Sequence, residues 1–145
     1  MTDIIRLLLL TIAFVTMELF FPSSGHAQGP QSLSIELNKL EPVDEACRFT
    51  FVVTNAIQVD LDKLAFEVVL FDKQGGVKHM TKFDFQETPS GKTRVRQFQL
   101  PETDCRDISR FLMNSVSSCT AGSAEIDGCS QKILLKNRTE IEFIN

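Results

Sequence analysis

Cys47-Arg48-Phe49-Thr50-Phe51-Val52-Val53-Thr54-Asn55 puts Phe49, Phe51 and Val53 on one face and Arg48, Thr50 and Thr54 on the other. An apolar–polar period of two marks a half-buried β-strand, and aromatic and β-branched residues suit a pleated surface. Asn55 and the Asp60-Leu61-Asp62 stretch close this strand in a polar loop. Upstream, Leu33, Ile35 and Leu37 alternate with Ser34, Glu36 and Asn38 over 33–40, and Pro42, Asp44 and Glu45 make the intervening turn. Downstream, Leu64, Phe66, Val68 and Leu70 give a third strand, with Val69 and Phe71 thickening its other face. Asp72-Lys73-Gln74-Gly75-Gly76 is a hairpin turn by composition. Val77 to Phe85 and Thr93 to Leu100 read as two further strands joined through Thr88-Pro89-Ser90-Gly91, and Pro101 ends the second.

Arg106 to Cys119 fits two periods. Ile108, Phe111, Leu112 and Val116 make a helical stripe that Asp104 or Asp107 would cap, whereas Phe111, Met113 and Ser115 alternate as a strand. With β-structure on every side, a short helical turn near Asp104 followed by a strand is the more consistent choice. A Gly/Ser/Asp loop runs from Thr120 to Gly128, and Ile133 to Ile144 supplies a final strand or strand pair. About seven short strands, with turn signals about every ten residues, predict a single all-β domain over 28–145: an immunoglobulin-like two-sheet sandwich.

The first 27 residues predict where that domain works. Leu7 to Met17 is an apolar run preceded by Arg6 and followed by Pro22-Ser23-Ser24 and Gly25-His26-Ala27. Small residues at Gly25 and Ala27 predict signal-peptidase cleavage between Ala27 and Gln28. The run is short for a bilayer span, and Glu18 interrupts it. No Arg-Arg pair precedes it and no Cys stands at the cut, so a soluble, periplasmic product of the general secretory route is expected. Arg6 is its only positive charge, offset by Asp3, which makes a weak n-region.

Cys47, Cys105, Cys119 and Cys129 all fall in the exported part, and an even count there predicts two disulfides. A four-Cys zinc site would need close C-x-x-C pairs, which are absent. Strand direction then selects the pairing. Cys47 begins the second strand and Cys105 precedes the sixth, which places both at one end of the sandwich; Cys119 and Cys129 lie at the other. Joining Cys47 to Cys119 would span a strand of about nine residues, roughly 30 Å, where a disulfide tolerates under about 7 Å between Cα atoms. Cys47–Cys105 and Cys119–Cys129 are therefore expected.

Composition removes several functions. The formal charge is −4 for the whole chain, so there is no global field for nucleic acid. Trp and Tyr are absent against 12 Phe, which suits a core better than a wet recognition surface. His26 leaves with the signal, His79 stands alone in a strand, and no Gly-x-Ser-x-Gly elbow exists, so no nucleophile–histidine–acid arrangement is expected. Pro89-Ser90-Gly91-Lys92-Thr93 lacks the first Gly of a phosphate loop. Asp60 and Asp62 lack the further oxygen ligands and bend glycine of a calcium loop. Asn137-Arg138-Thr139 is a glycosylation sequon only in a eukaryotic host. No cofactor or metal is expected.

One charged feature stands out. Lys92, Arg94 and Arg96 share one face of their strand, and Lys78 and Lys82 share a face of the strand before. If the two strands form a hairpin with these cations outward, an acidic protein carries a local basic patch, suited to an anionic envelope component. The plainer expectation is strand solubility and edge protection, with Asp84 opposite Arg94 across the hairpin.

Val52-Val53-Thr54-Asn55, then Leu64 to Asp72, then Gly75 resembles the FxLYD-type and late-embryogenesis-abundant-like β-sandwich families, in which an Asn closes one strand and an aromatic-Asp-Gly turn the next. Val68 replaces that motif's Phe and Phe71 its Tyr, while Leu70 and Asp72 match. Gly91-Lys92 resembles the turn those domains often carry. The four cysteines, with Leu100-Pro101 ahead of Cys105, are similar to those of a group of uncharacterised exported proteins of alphaproteobacteria. The resemblance implies an immunoglobulin-like fold in a bacterial periplasm and brings no catalytic residues.

The function expected from these residues is a non-enzymatic module presenting loops or a strand edge to another envelope protein. The alternative is a binder of small anions or lipids through the basic strand face. A concave apolar pocket beside Lys78, Arg94 and Arg96 would favour the alternative, and a flat exposed patch the module. Three or more convergent carboxylates would reopen an exported hydrolase.

Overall fold

The computed structural model describes residues 32–126, 129 and 133–145, and the expected signal over 1–27 lies outside them. Strands β1 (Leu33–Val43), β2 (Ala46–Asn55), β3 (Leu61–Asp72), β4 (Val77–Thr88) and β5 (Thr93–Pro101) follow in order. A 3-10 turn over Cys105–Asp107 leads into β6 (Ile108–Ala121), and β7 (Ala124–Glu125), β8 (Ile133–Asn137) and β9 (Glu142–Ile144) complete the chain. The competition over 106–119 resolves as expected: Asp104 caps the turn by accepting from the Arg106 amide, and a strand follows.

One sheet runs β5-β2-β1-β8 and the other β4-β3-β6-β7, with β9 also on β6. The last segment divides between sheets. β8 lies parallel to β1, Leu33 opposite Ile133, and β9 lies parallel to the start of β6, Phe111 opposite Phe143. The turn between them is fastened to β1, where the Arg138 amide donates to the Leu37 carbonyl at 2.9 Å. Glu36 takes the Asn38 amide at 2.7 Å and the Arg138 guanidinium at 2.8 Å, and both hold its carboxyl below the ordinary range.

The period-two residues meet between the sheets. Leu33, Ile35, Leu37, Phe49, Phe51 and Val53 pack against Leu64, Phe66, Val68, Leu70, Phe83, Phe85 and Phe111, all buried. Phe51 sits at the centre, edge-on to Phe85 at 5.3 Å and Phe111 at 5.4 Å. Phe83 and Phe98 stack at 4.1 Å across the gap between β4 and β5. Such edge-on pairs each add about 1 kcal/mol to their area burial, so a phenylalanine cluster supplies the core of a chain without Trp.

Cys47 joins Cys105 with 5.0 Å between Cα atoms, and Cys119 joins Cys129 with 6.3 Å. These are the pairs that strand direction required, one at each end of the sandwich.

Asn55 is a buried polar hub of the fold. It is fully buried, its Nδ2 donates to the carbonyls of Val59 at 2.9 Å and Thr88 at 2.6 Å, and its Oδ1 accepts from the Ile57 amide. Its backbone takes both ends of the next turn: its N–H donates to the Lys92 carbonyl and its carbonyl accepts from the Gly91 amide. This single residue ends β2, shapes the loop to β3 and draws the chain after β4 across to the other sheet.

Candidate interaction face

That crossing corrects one expectation. β4 and β5 do not form a hairpin: β4 is the edge of one sheet, paired with β3, and β5 is the edge of the other, paired with β2. The cations are not all turned outward either. Arg94 and Arg96 have the same parity as Phe98 and Leu100, so they lean into the seam between the two edges while Val95, Gln97 and Gln99 face solvent. Arg96 Nε donates to the Phe85 carbonyl at 2.7 Å and Nη2 to the Glu87 carbonyl at 3.1 Å, with a long contact from Nη1 to its own strand at Val95. One guanidinium thus occupies backbone acceptors of two sheets, and edge protection is the role the geometry gives it. Lys78 is tied to Asp107 at 3.0 Å, Lys82 stands opposite Glu67 on the outside of β4, and Lys92 lies in the turn. No Asp84–Arg94 pair forms; Asp84 accepts from the Gln86 amide instead.

The other polar residues singled out in the sequence serve the scaffold. His79 Nε2 lies 2.9 Å from the hydroxyl of buried Thr103, which itself donates to the Pro101 carbonyl. Asp60 accepts from the Ser90 amide and Asp62 from the Gly122 amide. Among the described residues, no three His, Cys, Asp or Glu side chains are placed to hold a metal ion.

A cleft of about 550 Å³ lies at the Cys47–Cys105 end, lined mainly by charged side chains. Asp44, Glu45, Glu102, Asp104 and Asp107 rim it with Lys78 and Arg106. Asp107 is tied to Lys78, and Asp104 to Arg106 at 2.6 Å. The Arg106 side chain and amide hold the Asp104 carboxyl down at about 2. The rim is net acidic, five carboxylates to two cations with each cation tied to one of them; among the described residues no three of the carboxylates are placed to hold a metal ion, and Arg94 and Arg96 are not part of it.

The outer surfaces of the two sheets differ. That of the four-stranded sheet is mostly polar, with Thr54 bonded to Thr93 and Gln97 to Thr50; its exposed apolar residues stand apart, Val95 opposite Val52 and Leu134 opposite Ser34. That of the five-stranded sheet carries a continuous apolar row, because the register sets Met80 opposite Val69, Val69 opposite Leu112, and Leu112 opposite Ile144. The next row reads Val77, Phe71, Arg110, Glu142; Arg110 lies 5.5 Å from the Phe71 ring centroid and pairs with Glu142. Val77 and Met80 are each 61% exposed and Ile144 40%, whereas Val69 in their midst is 3% exposed. The consecutive apolar run from Val68 to Phe71 already implied a strand covered on both faces. Val77, Met80 and Ile144 carried no such sign, since nothing local shows that they line up.

The chain matches no protein-family model and no curated protein sequence, so the FxLYD-type resemblance rests on its local motif alone. Among solved structures the fold is similar to that of IrmA from Escherichia coli, with TM-score 0.57, 11% identity, and 72% of this chain and 90% of that one covered. A looser likeness, TM-score 0.42 at 17% identity, covers 48% of this chain and 43% of the trimeric lipoprotein SadB of Salmonella enterica. At 11% identity the likeness to IrmA is one of fold alone.

Proposed function

We propose that this chain is an exported, non-enzymatic interaction module that presents the outer face of its five-stranded sheet to a protein partner in the bacterial envelope. The observation that carries the proposal is the apolar row Met80–Val69–Leu112–Ile144 on an outward face, beside an Arg110 stacked on Phe71. Aligned apolar side chains with Met, Arg and an aromatic among them have the composition of an interface centre. Two disulfides suit an oxidising compartment, and among the described residues no helix is long and apolar enough to cross a membrane. For the anion-binding alternative Lys82, Lys92 and Arg94 remain, whereas Arg96 is bonded to backbone carbonyls and Lys78 to Asp107.

Crosslinking capture from envelope extract tests the proposal with three baits: the wild type, Met80→Lys, and Val95→Lys on the polar sheet. Val95 is a matched control, 58% exposed. A product kept by Val95→Lys and lost by Met80→Lys is expected. Equal capture by all three baits would remove this face from the function.

A further inference from the structure

Resting on that interaction face, we infer that its partner is a second copy of this chain, docked face to face through the five-stranded sheet. The register carries the argument. The four columns of the face are β4, β3, β6 and β9, each aligned with its neighbour on the outer surface. A two-fold axis parallel to the strands, laid between β3 and β6, carries β4 of one copy over β9 of the other and β3 over β6. Met80 then meets Ile144 of the partner subunit and Phe71 meets Arg110 of the partner subunit, while Leu112 of the partner subunit lies over Val69, which its own neighbours already cover to 3% exposure. Each apolar side chain of the central row falls on another, and a guanidinium falls on a ring that such a group already attends within one chain. An isologous interface needs this self-match, whereas a foreign partner does not.

Charge agrees. The rim is locally neutral, with Arg110 paired to Glu142 and Lys82 opposite Glu67, although the chain as a whole carries −4. The two-fold brings no like charges together: Val77 meets Glu142 of the partner subunit, and Glu67 meets Ser115 of the partner subunit. The geometry is the aligned sheet-on-sheet packing that already forms the core of each copy.

Size sets the strength. With strands about 4.8 Å apart, β3 over β6 for about ten residues and β4 over the three-residue β9 make a face of about 400 Å². That falls short of the roughly 800 Å² per partner of a standard stable interface. The dimer is therefore a weak, concentration-dependent one.

Sedimentation equilibrium of the purified, oxidised protein across the micromolar to millimolar range reads it out. The weight-average mass should climb from monomer towards dimer in the wild type and in Val95→Lys, and stay at monomer in Met80→Lys. Chemical shifts of the wild type should move with concentration at Val77, Met80, Leu112 and Ile144, a measurement that needs no variant to fold. A wild type that stays monomeric throughout overturns the second copy, as does association that Met80→Lys leaves intact or shifts confined to other surfaces. A monomeric wild type whose envelope capture is still lost in Met80→Lys sinks the second copy while leaving the interaction face standing. Capture that ignores Met80→Lys sinks both.

Discussion

Replacing Asn55 with Ala should cost about 4 kcal/mol, most of it from one carbonyl. Thr88 is fully buried and its carbonyl receives the Asn55 Nδ2 at 2.6 Å; left without a donor, it pays its full desolvation, about 2–3 kcal/mol. The Val59 carbonyl and the Ile57 amide lie where water can reach them, and their loss adds about 0.5–1 kcal/mol each. That total is a large part of the roughly 5–15 kcal/mol that holds a domain folded. Asn55→Asp sharpens the test, because it keeps the size and the acceptor for Ile57 but turns a second oxygen towards two carbonyls. Burial and those carbonyls favour the protonated acid, which can donate to Thr88, so the folded-state pKa of this Asp is raised. Stability of the variant should then be higher in acid and fall as the pH climbs through that raised value. Urea unfolding with the disulfides intact reads both effects. An Asn55→Ala midpoint within about 1 kcal/mol of wild type at unchanged slope, or an Asn55→Asp variant whose midpoint does not fall as pH rises, would refute the reasoning.

Arg96→Lys should behave almost as badly as Arg96→Ala, losing about 2 kcal/mol, since an ammonium cannot span the Phe85 and Glu87 carbonyls as a planar fork does. Urea midpoints give the loss, and light scattering during refolding should rise as the two sheet edges are unsealed; an Arg96→Lys protein equal to wild type in both would count against the seal. Opening Cys47–Cys105, which closes a separation of 58 residues, should lower stability by at most about 4 kcal/mol, against about 3 kcal/mol for Cys119–Cys129 and its separation of 10. Calorimetry of the two paired Cys→Ser variants checks the order, and a larger loss from the shorter loop would contradict the entropic account.

The strands were legible because a one-sided strand writes its period into the chain, as Leu33, Ile35 and Leu37 do, and Phe49, Phe51 and Val53 after them. The disulfides were legible because strand parity fixes which ends meet. Sheet membership was not. Two strands joined by Pro89-Ser90-Gly91 look like a hairpin locally, and what separates them is Asn55, more than thirty residues away from that turn. The direction of Arg94 and Arg96 is readable, since Phe98 and Leu100 share their parity, but charge suggests exposure where a sheet edge offers carbonyls instead. The interaction face escaped for a similar reason: Met80, Val69, Leu112 and Ile144 are scattered in sequence and become one row only through register.

The parallel pairing of β1 with β8 also sets the order of events in time. Leu33 must wait for Ile133 before its outer backbone groups find a strand. A chain made from its N-terminus onward holds β1 early, then passes through every other strand of that sheet before β8 exists. Closing a contact of that span is slow compared with forming local turns. Until the last dozen residues arrive, the growing chain carries a bare edge open to pairing with a neighbour. The final residues act as a latch, and a chain broken off before Ile133 would keep most of its core while remaining unshut.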